Sequence, residues 1–172
     1  MADKGGVMGW KRWAGIGAVA VITAAATGCG ETPTDVGFEV IEDLTFAASL
    51  NIDLATFQRR STGVYWKDLA TGVGEEVVLG TTPTITFTAW LADGTQVIQG
   101  EETFLMGNNA VISGIEDGIL NQVEGGTRLL IIPPNHGYAG QGLTSLETGE
   151  QVVPPGAVLV YEVTVDEVVL PN

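Results

Sequence analysis

Three stretches decide the fold: Val111 to Leu120 (VISGIEDGIL), Gly125 to Gly140 (GGTRLLIIPPNHGYAG) and Val152 to Val163 (VVPPGAVLVYEV). In the first, Ile112, Ile115 and Ile119, followed by Val123, fall three, four and four residues apart, which puts them on one stripe of a helix over Ser113 to Val123. Ser113 stands where an N-cap belongs, Glu116 three residues on completes a capping box, and Gly125-Gly126 stops the helix. Glu116 and Asp117 are adjacent on that helix and point to different sides, which disfavours a paired-carboxylate acid/base site.

Around the helix the pattern has the period of strands. Arg128 to Pro133 is an almost unbroken apolar run, as for a buried strand. From Ala157 to Val169, Leu159, Tyr161, Val163 and Val165 alternate with Val158, Val160, Glu162, Thr164 and Asp166, so Tyr161 and Val163 belong to an inner face and the polar residues to an outer one. Thr84 to Leu91 alternates in the same way, and Asp93-Gly94 marks a hairpin into Thr95 to Ile98. Gly63 to Leu69 reads as a further strand, closed by the turn Thr71 to Gly74. One short helix against a curved antiparallel sheet is an α+β fold. Many small domains share that outline, and periodicity alone names no activity.

The N-terminus carries a separate signal. Lys11 and Arg12 precede an uncharged run of 16 residues from Trp13 to Gly28, shorter than the about 20 needed to span a bilayer. It ends at Cys29, the only cysteine, so no intramolecular disulfide is available. Residues 1–28 read as a signal peptide, and Ala26-Thr27-Gly28-Cys29 resembles a bacterial lipobox, which makes Cys29 the lipidated first residue of an exported protein of the cell envelope. An uncleaved apolar anchor and a plain secreted protein are the other readings. Residues 29–60 read as a polar Pro/Gly tether, Gly30 to Gly37, followed by a short packing helix in which Phe46, Leu50, Leu54 and Phe57 share a face. A partner-binding helix is the alternative there. Residues 61–172 form the remaining domain.

Three of the 7 basic residues and one of the 21 acidic ones precede Cys29, which leaves 4 basic against 20 acidic side chains and a net charge near −16. Nucleic acid is therefore an expected non-partner, because phosphate binding needs clustered Lys and Arg. His136 is the only histidine and has no His/Cys cluster around it, so neither a metal nor another cofactor is expected, and His136 reads as a solvated loop residue. The Gly137 to Gly142 stretch leads into polar loop, not into a helix, and lacks the context of a phosphate-binding turn.

From Ser61 to Leu170, about two thirds of the chain, the sequence resembles the FK506-binding family of peptidyl-prolyl cis/trans isomerases. The resemblance rests on five motifs in the family's order: Thr86 to Gly94 (TFTAWLADG), Val111-Ile112-x-Gly114, Gly125-Gly126-x-Arg128, Ile132-Pro133-Pro134 with Tyr138, and Val153-Pro154-Pro155 through Ala157 and Leu159 to Val163. It implies a five- or six-stranded antiparallel sheet wrapped around one helix, with a shallow apolar pocket between them. It implies two hydrogen-bond donors for the substrate, the backbone N–H of Ile112 and the hydroxyl of Tyr138. Phe87, Val97, Phe104, Val111, Ile115, Val153 and Tyr161 would form the walls, with Ile98 at the rim. For Phe87 and Tyr161 core packing is a compatible role, and Tyr138 has the alternative of a loop tyrosine covering the sheet edge.

Four positions depart from the family's usual residues: Ile115 stands in place of a tryptophan floor, Val97-Ile98 in place of Phe-Asp, and Phe87 in place of a tyrosine. They imply a rim with fewer polar groups. The implied partners are proline-containing polypeptides and, through Cys29, a membrane, with a monomer as the expected state. A peptide-binding or chaperone module without turnover, or an envelope spacer, are the competing readings.

Overall fold

The computed structural model describes residues 37–146 and 148–171. Cys29, the expected signal peptide and most of the expected tether lie outside them. Nine elements follow in chain order: β1 (Gln58–Arg59), β2 (Tyr65–Ala70), β3 (Thr82–Leu91), β4 (Gln96–Thr103), α1 (Ser113–Ile119), β5 (Thr127–Ile132), β6 (Leu143–Thr144), β7 (Gln151–Val153) and β8 (Leu159–Val169). Six of them make one antiparallel sheet in the order β1-β2-β5-β8-β3-β4, and β6 pairs with β7 in a small hairpin.

The alternation in the last strand sets the two sides of the sheet. Leu159, Tyr161, Val163 and Val165 join Ile85, Ala89, Leu130 and Ile132 in a core beneath α1, which contributes Ile115 and Ile119. Each of those two isoleucines buries enough apolar surface to contribute about 1.5 to 3 kcal/mol. The seven-residue helix needs that contribution, since so short a helix does not hold in water by itself. Two glycines let it sit close. A Cβ at Gly118 would come within 2.5 Å of Leu130, and one at Gly114 would run into Ile132 and the carbonyl of His136.

The helix differs from its sequence expectation at both ends. It stops at Ile119, because the chain turns through Asn121 at φ 64° and Val123 is taken into a bridge with Glu76. Its free carbonyls meet two arginines: Arg128 donates to Gly118 at 2.9 Å and Leu120 at 3.2 Å, and Arg60 donates to Leu120 at 2.6 Å. At the start the N-cap is Ile112, and the capping box does not form. Ser113 Oγ instead shares a hydrogen bond with His136 Nδ1 at 3.0 Å, and the Glu116 carboxylate accepts from the Asn109 N–H at 3.0 Å. His136 is thus a half-buried pin between loop and helix, not a solvated residue.

The other face of the sheet is covered as well. Ile131, Val158 and Val160 are buried there beneath Ile41, Leu44, Phe46, Leu50, Ile52, Leu54 and Phe57. The packing expected of Phe46 to Phe57 is present, but the continuous helix is not: the segment makes two single 3-10 turns, Ala48–Leu50 and Leu54–Thr56. Asn51 in the left-handed conformation ends the first, and Asp53 caps the second by accepting from the Ala55 N–H. The strap is tied on by the Ala47 N–H donating to Ala92, by Tyr65 donating to Glu42 at 2.6 Å, and by Glu39, whose N–H donates to Gly156 and whose Oε2 accepts from the Val158 N–H at 2.7 Å.

Candidate functional site

Between α1, the concave face of β3, β4 and β8, and the loop after β5 lies a cavity of about 430 Å³. Phe87 and Tyr161 form its sheet wall, with ring centroids 5.8 Å apart at a tilt of 41°. Strand alternation puts both on the face that looks at the helix, since Phe87 pairs with Val163 and Ala89 with Tyr161 across β3 and β8. Ile115, 4% exposed, lies at its base, one helical turn in from Ile112. Val111 and Ile112 close the side where the chain enters the helix.

The two expected donors converge on this cavity. Ile112 is held by the loop before it, where Asn108 Oδ1 accepts from the Ala110 N–H at 3.0 Å and Glu116 fixes Asn109. Among the described residues no group accepts from the Ile112 N–H, whereas its carbonyl takes the first bonds of the helix. Tyr138 follows the 3-10 turn Pro134–His136 and is anchored by its carbonyl, which accepts from the Gln141 and Gly142 N–H groups. Its neighbour Ala139, at φ 49°, donates to the Pro134 carbonyl at 2.8 Å. Burial pushes the Tyr161 phenol well above its ordinary pKa, and the Tyr138 hydroxyl beside it adds to the shift. The Tyr161 phenol therefore stays neutral at ordinary pH.

Of the residues expected in the wall, Phe87, Ile98, Val111, Ile112, Ile115, Tyr138 and Tyr161 come together. Val97, Phe104 and Val153 do not line the cavity. Phe104 and Val153, 5% and 1% exposed, are part of the core behind it. Val97 is the extra residue of a bulge between the pairs Gln96–Trp90 and Ile98–Ala89, which turns Ile98 toward the cavity and packs Val97 beside it on the core. Sequence reasoning missed Ala110 and Glu102. The same-face spacing Ile98, Gly100, Glu102 along β4 is the signal that finds Glu102; Ala110 has none beyond its place next to Val111.

A second hollow of about 420 Å³ lies on the opposite side of the sheet, lined by Leu50, Phe57, Leu69, Trp90 and Leu129 with Lys67 and Glu162. Its ammonium group is already engaged with the Thr56 hydroxyl at 3.1 Å. Ser49 and Asn51 line the hollow as well.

Comparison with known proteins decides the family. The profile of the FKBP-type peptidyl-prolyl cis-trans isomerases matches residues 74–166, more than half of the chain. The chain belongs to that family. An FK506-binding protein of Neisseria meningitidis serogroup B is 35% identical over 106 residues, 59% of this chain and 92% of the relative. The crystal structure of AtFKBP13 is similar with a TM-score of 0.57 at 27% identity, over 63% of this chain and 95% of that one. FkpA from Escherichia coli, at 23% identity and a TM-score of 0.58 over 73% of this chain and 56% of its own, shares the fold. Like other FKBP-type isomerases, the chain is a peptidyl-prolyl cis/trans isomerase that binds proline-containing peptides. Residues 37–57, which cover the outer face, precede the matched region.

Proposed function

We propose that the cavity between α1 and the sheet rotates X-Pro bonds of exported polypeptides, and that the enzyme works from a lipid anchor at Cys29 in a bacterial cell envelope, as a monomer. The observation that carries the site is the convergence of the free Ile112 N–H and the Tyr138 hydroxyl on a cavity floored by Ile115 and walled by Phe87 and Tyr161.

Rotation about an X-Pro bond crosses a barrier of about 18 to 20 kcal/mol, because the planar amide is stabilised by resonance. Without a catalyst it takes tens of seconds or more. No bond is made or broken, so neither nucleophile nor metal is needed. The pocket has only to favour the twisted amide, and each increment of about 1.4 kcal/mol is tenfold in rate. The twisted amide has lost conjugation, and its carbonyl is less polar than that of the planar form. An apolar pocket stabilises it relative to water. Phe87, Ile115 and Tyr161 grip the proline ring, while Ile112 N–H and Tyr138 hold the flanking carbonyls so that one side of the bond turns against the other.

The envelope setting rests on the basic residues Lys11 and Arg12, the apolar run to Gly28 and the small residues before Cys29. An acidic exported domain stays soluble beside an anionic membrane surface. Slow proline steps there are accelerated without an energy source.

The test is a proline isomerisation assay on the full chain in detergent, beside an Ile115→Trp variant. Catalysis by the parent, raised in the variant, supports the enzyme. Ile98 in the rim, where a polar group would orient the substrate, favours the second reading, a peptide-binding chaperone module. Progress curves equal to buffer for both proteins, with peptide binding retained, would establish that reading instead. For the anchor, radiolabelled fatty acid should enter the parent and not Cys29→Ser; an unlabelled parent removes the lipid from the proposal.

A further inference from the structure

We propose that Glu102 makes this site selective for prolines flanked by a lysine or arginine. The inference rests on the reading of the cavity as the isomerase site. Glu102 is the one charged side chain in the wall of the cavity, and it is solvent-exposed at the open end of β4. Its register opposite Ile85, two steps along the same face from Gly100 opposite Phe87, keeps it on the concave side of the sheet, whereas Glu101 faces the other way opposite Thr86. Among the described residues the four cations are all placed elsewhere: Arg59 beside Glu42, Arg60 on the Leu120 carbonyl, Lys67 on the Thr56 hydroxyl and Arg128 on Asp68. The Glu116 carboxylate near the other rim is occupied by the Asn109 N–H. Glu102 thus sits beside an apolar cavity without a cationic partner, in a chain whose formal charge is −14.

A substrate whose proline ring fills the cavity leaves its neighbouring side chains at the mouth. A cationic one meets the carboxylate, with its aliphatic stem lying over Ile98. An acidic one meets like charge from Glu102 and from the field of the whole chain. An exposed pair of this kind is worth little in absolute strength and discriminates through the difference between attraction and repulsion.

The experiment compares short peptides that differ only next to the proline, with Lys, Leu or Glu before it or after it, for turnover by NMR exchange and for binding by chemical-shift titration at low salt. The full chain in zwitterionic detergent and its Glu102→Gln variant are used. The expected kcat/KM ratio of the best Lys peptide to its Glu counterpart is about fivefold in the parent, falls toward one in Glu102→Gln, and shrinks in the parent as salt is added. The Leu peptides report any effect of the substitution that does not depend on peptide charge, and the Lys and Glu values are read relative to them. A parent with no Lys-over-Glu preference at either position, or a preference that survives Glu102→Gln, overturns the proposal. If no peptide turns over, the isomerase reading of the site fails by itself, and the charge preference is read from the binding constants with the same two outcomes.

Discussion

Arg128 donates to Asp68 across β5 and β2 at 2.7 Å, with the arginine side chain 3% exposed and the aspartate 40%. Around that contact Arg128 stacks 4.2 Å from the centre of the Trp66 ring and holds the carbonyls of Gly118 and Leu120. One guanidinium therefore fastens the end of the helix that floors the cavity to the sheet. Arg128→Ala leaves the Gly118 carbonyl and Asp68 without their donor, while Arg60 keeps the Leu120 carbonyl, and is expected to cost about 3 to 5 kcal/mol. Asp68→Asn, at a half-exposed position, should cost about 1 kcal/mol. Denaturant unfolding of both variants checks the order; equal losses would mean that the ion pair, and not the helix carbonyls, is what Arg128 holds.

Tyr138→Phe removes a donor and leaves the ring against the core. A hydrogen bond made to the reacting amide is worth about 1 kcal/mol, so kcat/KM should fall roughly fivefold with stability nearly unchanged. Ile115→Trp gives the floor a flat aromatic face, with room in the cavity above it, and should raise kcat/KM by about threefold. A proline isomerisation assay reads both.

Glu39 bridges the strap to the loop that carries Tyr138. Its carboxylate accepts from the buried Val158 N–H, its own N–H donates to Gly156, and the Gly156 N–H donates to the Ala139 carbonyl at 2.7 Å. Glu39→Ala orphans the Val158 donor and is expected to cost about 1 to 2 kcal/mol. Glu39→Gln keeps an acceptor there and should cost less. Amide exchange should quicken at Val158 and Gly156 in the alanine variant alone.

Tyr161 should weaken the fold in alkali. Its phenol has a raised pKa in the folded state, so its contribution is whole below the ordinary tyrosine value of about 10 and is lost as pH rises beyond it, when the unfolded chain ionises first. Unfolding free energy followed from neutral to alkaline pH should fall more steeply for the parent than for Tyr161→Phe.

The Glu42–Tyr65 bond should be felt at both ends of the pH scale. Hydrogen bonding from Tyr65 holds the Glu42 carboxyl below its usual value, and the same bond raises the Tyr65 phenol. The first contribution is whole above about pH 4.3 and is lost as pH falls through the lowered pKa; the second is whole below about pH 10 and is lost as pH rises through the raised one. The stability difference between parent and Tyr65→Phe should be flat in between and shrink toward both extremes. Both groups are at the surface, so salt should reduce it.

How far the site could be read from the chain varies with the element that carries each residue. Tyr161 and Phe87 were placed by alternation, because a strand has only two faces and one of them must be buried. Ile115 was placed by a helical stripe against the same core. Tyr138 and Ile112 came from motif resemblance, since no periodicity locates a loop. Val97, Phe104 and Val153 are wall residues by resemblance alone, and the bulge that sets Val97 beside the cavity is invisible in the sequence; Glu102 is hard to read because a polar residue on a concave face breaks the apolar signal that marks that face. Ser113 and Glu116 have the spacing of a capping box, yet His136 and Asn109 compete for the same groups from outside the helix. The apolar steps from Phe46 to Phe57 fit a helix as well as a strap, and it is as a strap that they cover the outer face of the sheet.

By itself the sequence determined which segments are strands, the hairpin across Asp93-Gly94 and which faces are buried, because hydrophobic burial leaves a period in the residues themselves, and its motifs carried the resemblance to the family. Only the tertiary structure decided where the helix ends, how residues 37–57 lie, and which side chains share the cavity with Tyr138 and Ile112. Those depend on groups far apart in the chain meeting at a few ångströms, as Glu39 meets Val158 and Arg60 meets Leu120. Hydrogen bonds of that range leave no spacing to read.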